Sequence, residues 1–249
     1  MGLKEQVVIR DQPGVLFVGV NRPEKRNALS LSLVEQLQSV LKSHRETPAI
    51  LVLHSCVSNI FVSGADIAEL KDRRAEDAMK AINIGLCDAI AAWRWPVIAA
   101  IDGIAFGGGL EVALAADLRI ATTQSRFAQP ELSLGIIAGA GAHARLIDTA
   151  GLTAARELLY LGRVWGAQEA FDHGLIDEIV EDDVLQRAEA LAREIAERPF
   201  RALELTKLAL SLNFGSTSAF DRVAQALLFE SSEKEIRMER FLSRKKERG

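Results

Sequence analysis

The chain has 249 residues, 49% of them hydrophobic, which suits one large globular domain with a continuous core. Its formal net charge of −4 argues against a general binder of nucleic acid or anionic membrane, although a local basic cluster can still meet a phosphorylated small molecule. Two cysteines, Cys56 and Cys87, are too few for a disulfide framework and are spaced unlike zinc ligands, so both are read as reduced core residues.

The opening Met-Gly-Leu-Lys-Glu-Gln lacks the charged and then apolar profile of a signal peptide, and Gln6 stands where a myristoylation signal wants Ser or Thr. No run approaches about 18 apolar residues, so a cytoplasmic location with no membrane partner is expected. Residues 7–9 and 15–20 are β-rich runs divided by Asp11-Gln-Pro-Gly14, which predicts a hairpin. After the polar loop 21–27, Ser30 or Ser32 can cap a helix carrying Leu33, Val34, Leu37, Val40 and Leu41 at helical spacing, and Pro48 leads into a strand at 50–53. A charged segment at 71–80 precedes a helix expected to run through Trp93 and stop before Pro96. Residues 96–101 read as a buried strand, 109–116 as a short buried helix and 118–121 as another strand, and helices dominate from Leu146 to about Arg244. The order is mixed α/β first and largely helical after, with no Pro/Gly/Ser linker to divide the chain.

Asp102-Gly-Ile-Ala-Phe-Gly-Gly-Gly-Leu-Glu111 is the most informative stretch. Glycine lets a ligand approach the main chain, N–H groups at a helix start lack partners within the helix, and such donors stabilise a developing oxyanion. Glu111 follows among apolar neighbours, where a carboxylate costs free energy unless it is paired or its pKa rises. It is a candidate for proton chemistry, with helix capping or pairing to Arg119 as structural alternatives. Gln129-Pro-Glu131 sets a second carboxylate in a turn ahead of the glycine-rich stretch 132–141, where a solvated surface glutamate is the alternative. Two carboxylates beside backbone donors suit addition of water across a polarised double bond, one orienting the water and the other delivering a proton to carbon.

Other constellations fail. The glycine run has neither the Gly-Lys-Ser/Thr ending of a P-loop nor a Gly-x-Gly-x-x-Gly. The histidines, His44, His54, His143 and His173, are scattered without metal-ligand spacing, so no metal site is expected. Ser63 lacks the first glycine of a nucleophile elbow.

Taken in order, Asn21-Arg-Pro-Glu-Lys-Arg-Asn-Ala-Leu29, Phe61-Val-Ser-Gly-Ala-Asp-Ile67, the 102–111 stretch and Gln129-Pro-Glu131 resemble the enoyl-CoA hydratase/isomerase (crotonase) superfamily, from about residue 5 to residue 245. The resemblance implies an α/β fold, a crotonase-like spiral of ββα turns over 1–195 with a helical C-terminal trimerisation region over 196–249, and a homotrimer or homohexamer. It assigns Ala65 and Gly108 as the backbone donors that bind a thioester carbonyl. Glu131 would exchange the proton with the α-carbon, Glu111 would orient the water, and Gly139 would lie near that water through its backbone. Lys25 and Arg26 can meet the phosphates of coenzyme A, a solvated basic loop being the alternative. Ser63, Gly64, Asp66 and Ile67 would line the adenine and pantetheine path, and Phe241 and Arg244 would cover the nucleotide.

Where many hydratases of this family show Pro-Gly-x-Gly-Gly-Thr-Gln-Arg-Leu, this chain has Ala138-Gly-Ala-Gly-Ala-His-Ala-Arg-Leu146, so the wall behind the acyl group differs. His143 is read as a helix-start or interface residue. The function implied is reversible addition of water to a trans-2-enoyl-CoA, giving a 3-hydroxyacyl-CoA, with no cofactor beyond the coenzyme A of the substrate. The rivals are a Δ3-Δ2-enoyl-CoA isomerase, which needs one base and no water, and a non-catalytic RNA-binding or scaffold protein on the same fold. The acidic net charge and the glutamate pair oppose the last of these.

Overall fold

The computed structural model describes residues 6–211 and 218–238. Strands β1 (Val7–Gln12) and β2 (Val15–Val20) form the hairpin that the Pro-Gly signal predicts, with Gly14 taking φ +79° at the turn. Helix α1 (Leu31–His44) is capped by Ser30, whose side chain accepts the Leu33 N–H at 3.2 Å, and it buries Leu33, Val34, Leu37 and Leu41. Then come β3 (Ile50–Ser55), the short β4 (Ile60–Val62), and helices α2 (Ile67–Asp72), α3 (Ala75–Met79) and α4 (Ile82–Ala91). The next turn is β5 (Val97–Ile101), β6 (Ile104–Phe106) and α5 (Gly108–Leu114). After it come β7 (Leu118–Thr122), β8 (Arg126–Ala128), a 3-10 turn at Glu131–Leu134 and α6 (Ala142–Leu161), which is broken at Gly151 with φ +84°. β9 (Trp165–Gly166), α7 (Ala167–Asp172), β10 (Glu178–Val180), α8 (Val184–Ala196), α9 (Phe200–Ser211) and α10 (Ser218–Phe229) follow.

The strands sort into two sheets. The first has the order β1-β2-β3-β5-β7-β10 and is parallel from β2 onward; the second has the order β4-β6-β8-β9, with only β9 antiparallel. The chain thus visits the first sheet, steps to the second and returns, which is a spiral of ββα turns. Residues 50–53 and 97–101 are buried throughout, as strands covered on both faces must be. Helix α8 presents Val184, Ala188 and Ala192 at four-residue spacing as its buried stripe and packs across β3, β5 and β7.

Close backbone approach explains two glycines. A Cβ on Gly109 would overlap the Val62 carbonyl oxygen, and one on Gly103 would overlap that of Asn59. The first lets α5 lie directly on β4, which brings the glycine run against the 61–67 segment.

The charged segment 71–80 holds α3 and the end of α2. Two expectations are corrected: β9 and β10 interrupt the region in which helices were expected to dominate, and one cysteine is not a core residue. Cys87 is buried, but Cys56, just past β3, is exposed and no core residue. The strands of the second sheet have two or three residues each, too few for an alternating pattern to show.

Candidate functional site

Leu29 and Ala65 form an isolated parallel bridge. The Leu29 N–H donates to Gly64 O at 2.8 Å, and Leu29 O accepts the Asp66 N–H at 2.9 Å. Both bonds fall on the neighbours of Ala65, so the Ala65 N–H faces away from Leu29. Ala65 N lies beside the glycine run: a Cβ built on Gly108 would stand 3.8 Å from it. Gly107, at φ +51° and ψ −124°, turns β6 into α5, and Gly108 is the first residue of that helix, where a backbone N–H has no partner within the helix.

The loop before Leu29 is fastened from within. Asn27 takes φ +56°, an uncommon conformation for a side chain other than glycine, and is fully buried. Its side chain accepts the Arg22 N–H at 2.8 Å and donates to Ser55 Oγ at 2.8 Å and Phe61 O at 3.0 Å. Arg22 reaches Ala28 O at 2.8 Å and the Asp66 carboxylate at 3.0 Å. Burial pushes the Asp66 carboxyl upward, but Arg22 and the Ala68 N–H outweigh it and hold the group below the usual carboxylate range. The Asp66 side chain therefore caps α2 and locks the loop. Lys25 and Arg26 stand exposed at the loop's tip.

Glu111 is 3% exposed on α5, and its Oε1 accepts the N–H of Ala140 at 2.6 Å and of Ala142 at 3.2 Å. Burial raises its pKa, opposed by those two donors and by the charges of His143 and Arg145. The pairing with Arg119 is absent: that guanidinium bonds Ala116 O, Leu175 O and Asp177 instead. Glu131, half-buried at the start of the 3-10 turn, sits over Gly107, where a Cβ would come within 2.8 Å of its Oε1. Desolvation, with the nearby negative charge of Glu111 adding to it, pushes its carboxyl up to about 7. Gln129, 1% exposed, lies beneath; with its amide turned nitrogen-first it donates to both Glu131 oxygens at 3.0 Å.

These groups open on one cleft of about 1000 Å³. Lys25, Arg26, Ser63, Gly64, Ala65, Asp66, Ile67, Gly108, Glu111, Glu131 and Gly139 all line it, together with aliphatic residues that include Leu70, Ile82, Ile84 and Ile137. Phe241 and Arg244 lie outside the described residues. His143 is exposed on the first turn of α6. Sequence reasoning gave no role to Arg22, Asn27, Gln129 or Arg145, because each acts through a contact that no local pattern marks.

A buried and a half-buried carboxylate, the backbone of Ala65 and Gly108 and a basic rim thus share one cleft, an arrangement suited to acid/base chemistry. The enoyl-CoA hydratase/isomerase family model matches residues 10–248, and the chain belongs to that family. It is 32% identical to the crotonyl-CoA hydratase of Syntrophomonas wolfei, covering 97% of this chain and 96% of that protein. It is 30% identical to the short-chain-enoyl-CoA hydratase of Clostridium acetobutylicum, over 98% and 97% of the two chains. The crystal structure of enoyl-CoA hydratase from Bacillus anthracis superposes with a TM-score of 0.92 at 30% identity, covering 96% of this chain and 97% of that one. The crotonase fold expected from the sequence is the one observed.

Proposed function

We propose that the cleft hydrates a trans-2-enoyl-CoA reversibly to a 3-hydroxyacyl-CoA. The chain is an enoyl-CoA hydratase by its relatives; the assignment of steps to residues is our reading, and the observation that carries it is Glu111 and Glu131 on one cleft with their pKa values both raised. Ala65 N–H and Gly108 N–H hold the thioester oxygen as it becomes an enolate oxygen, each such donor being worth about 2.7–4 kcal/mol in kcat. Ionised Glu111, favoured by its two backbone donors, accepts the proton of the water whose oxygen bonds to the β-carbon. Protonated Glu131 delivers its proton to the α-carbon, and the carbonyl re-forms. One proton stays on the pair throughout, so the addition balances without metal or redox cofactor.

Gly139 contributes its backbone to the water site in this reading. Lys25 and Arg26 meet the phosphates, Ser63, Gly64, Asp66 and Ile67 line the path of the carrier, and Phe241 and Arg244 cover the nucleotide. Assembly as a homotrimer or homohexamer belongs to the same reading, supported by the exposed Leu152, Tyr160, Leu161 and Val164. So does a cytoplasmic location; among the described residues no helix is long and apolar enough to cross a membrane. Product analysis with Glu111→Ala tests hydratase against isomerase. A hydratase forms 3-hydroxyacyl-CoA as wild type and loses it in Glu111→Ala, whereas a wild type that forms no 3-hydroxyacyl-CoA but converts a 3-enoyl-CoA to the 2-enoyl isomer, in a reaction that survives Glu111→Ala, overturns the hydration reading.

A further inference from the structure

Glu111 owes its position to a loop that has its own support. The loop carrying Ala140 and Ala142 turns through Gly141 at φ +100°, a conformation with no intrinsic rigidity. Arg145, one turn into α6, reaches back across Gly141: its Nη1 donates to Ala140 O at 2.7 Å and its Nη2 to Asp88 Oδ1 at 2.8 Å. Asp88 lies on α4, the helix whose first turn lines the cleft through Ile82 and Ile84. A continuous strut therefore runs from α4 through Asp88, Arg145 and Ala140 to the Oε1 of Glu111.

Building on the hydratase reading, we propose that Arg145 is a positioning residue that holds the Ala140 loop so that its N–H groups fix the orientation and charge of Glu111. Its link to Asp88 is the weaker half. Asp88 is 63% exposed and Arg145 20% exposed, and an exposed carboxylate adds little to such a pair. The bond to Ala140 O is the one that matters. Four charged or titratable groups bear on Glu111 besides its donors: Cys87 on α4, Glu131, and His143 and Arg145 on α6. Removing Arg145 takes away a positive charge and loosens two donors, and both changes favour the protonated carboxyl.

The test compares Arg145→Met, Arg145→Lys and Asp88→Asn with wild type, using crotonyl-CoA hydration and butyryl-CoA binding. Arg145→Met is expected to lower kcat about 30-fold or more, in the range that a small misplacement of a reacting group costs. KM and butyryl-CoA affinity should stay within about threefold, and the acid limb of kcat/KM should move to higher pH. Arg145→Lys recovers part of the loss, and Asp88→Asn stays within about threefold of wild type. A 13C carboxyl titration of Glu111, assigned with Glu111→Gln, reads the same upward shift with no turnover, so the proposal stands or falls even if wild type proves inert toward enoyl-CoAs. A folded Arg145→Met with kcat within about threefold of wild type and an unmoved Glu111 titration overturns it.

Discussion

Leu29 and Ala65 are joined by a single parallel bridge, and that bridge makes the orientation of the Ala65 N–H depend on the loop that carries Lys25 and Arg26. One folded unit therefore contains both the proposed basic contact for the carrier and one of the two proposed oxyanion donors. The Arg22 to Asp66 ion pair closes it from the other side at 3.0 Å.

Breaking that pair should destabilise the fold. Asp66 is buried and Arg22 nearly so, and removing one charge leaves the other uncompensated, which costs up to about 3–5 kcal/mol. Arg22→Met should lose that much in urea unfolding at pH 7, and Asp66→Asn on top of it should recover part. Because the folded Asp66 carboxyl is held below its ordinary value, the pair's contribution is fully present above the unfolded pKa of about 3.9 and disappears as pH falls through the folded value. The gap between wild type and Arg22→Met should close at low pH.

Close packing gives a second stability prediction. Gly109→Ala places a methyl group on the Val62 carbonyl oxygen, and neither backbone can give way without moving α5 off β4. A loss of about 3 kcal/mol is expected, measured by thermal or urea unfolding. Gly151→Ala, with open space around the Cβ but φ +84°, should cost less, about 1 kcal/mol from backbone strain alone.

The carboxylate pair sets the pH profile. Hydration needs one proton on the pair, and Glu131 gives up its proton at about pH 7. The value of kcat/KM should therefore fall above about pH 7 by roughly tenfold per pH unit. Water addition consumes no net proton, so the dehydration direction should show the same limb. The two ionisations belong to the pair jointly, and a profile flat from pH 6 to about 9 contradicts the assignment.

The sequence revealed the parts of this site whose chemistry is local. Three glycines and a carboxylate among apolar residues mark Gly108 and Glu111 without any tertiary knowledge, and the ordered set of motifs adds Ala65 and Glu131. The first sheet, β10 apart, was legible because residues 50–53 and 97–101 are unbroken apolar runs. The second sheet was hidden: β4, β6 and β8 are three residues each, and pairing across the spiral makes them strands. Nothing local distinguishes Arg119, which Asp177 and two carbonyls hold, from Arg145, which braces the Ala140 loop. Cys56 reads as core because it suits neither a disulfide framework nor a zinc site, yet it comes at the open end of β3, where its N–H still bonds Val20 O at 2.9 Å and its side chain is exposed.

In the proposed mechanism Glu131 exchanges the proton with the substrate carbon. The most direct measurement follows the enoyl-thioester absorbance of crotonyl-CoA and of a longer 2-enoyl-CoA with wild type and with Glu131→Gln. Wild type should show loss of absorbance with a 3-hydroxyacyl-CoA product. The variant should be slower by about 10²–10⁴-fold with acyl-CoA binding retained. Hydration by Glu131→Gln at the wild-type rate would rule out that role for Glu131.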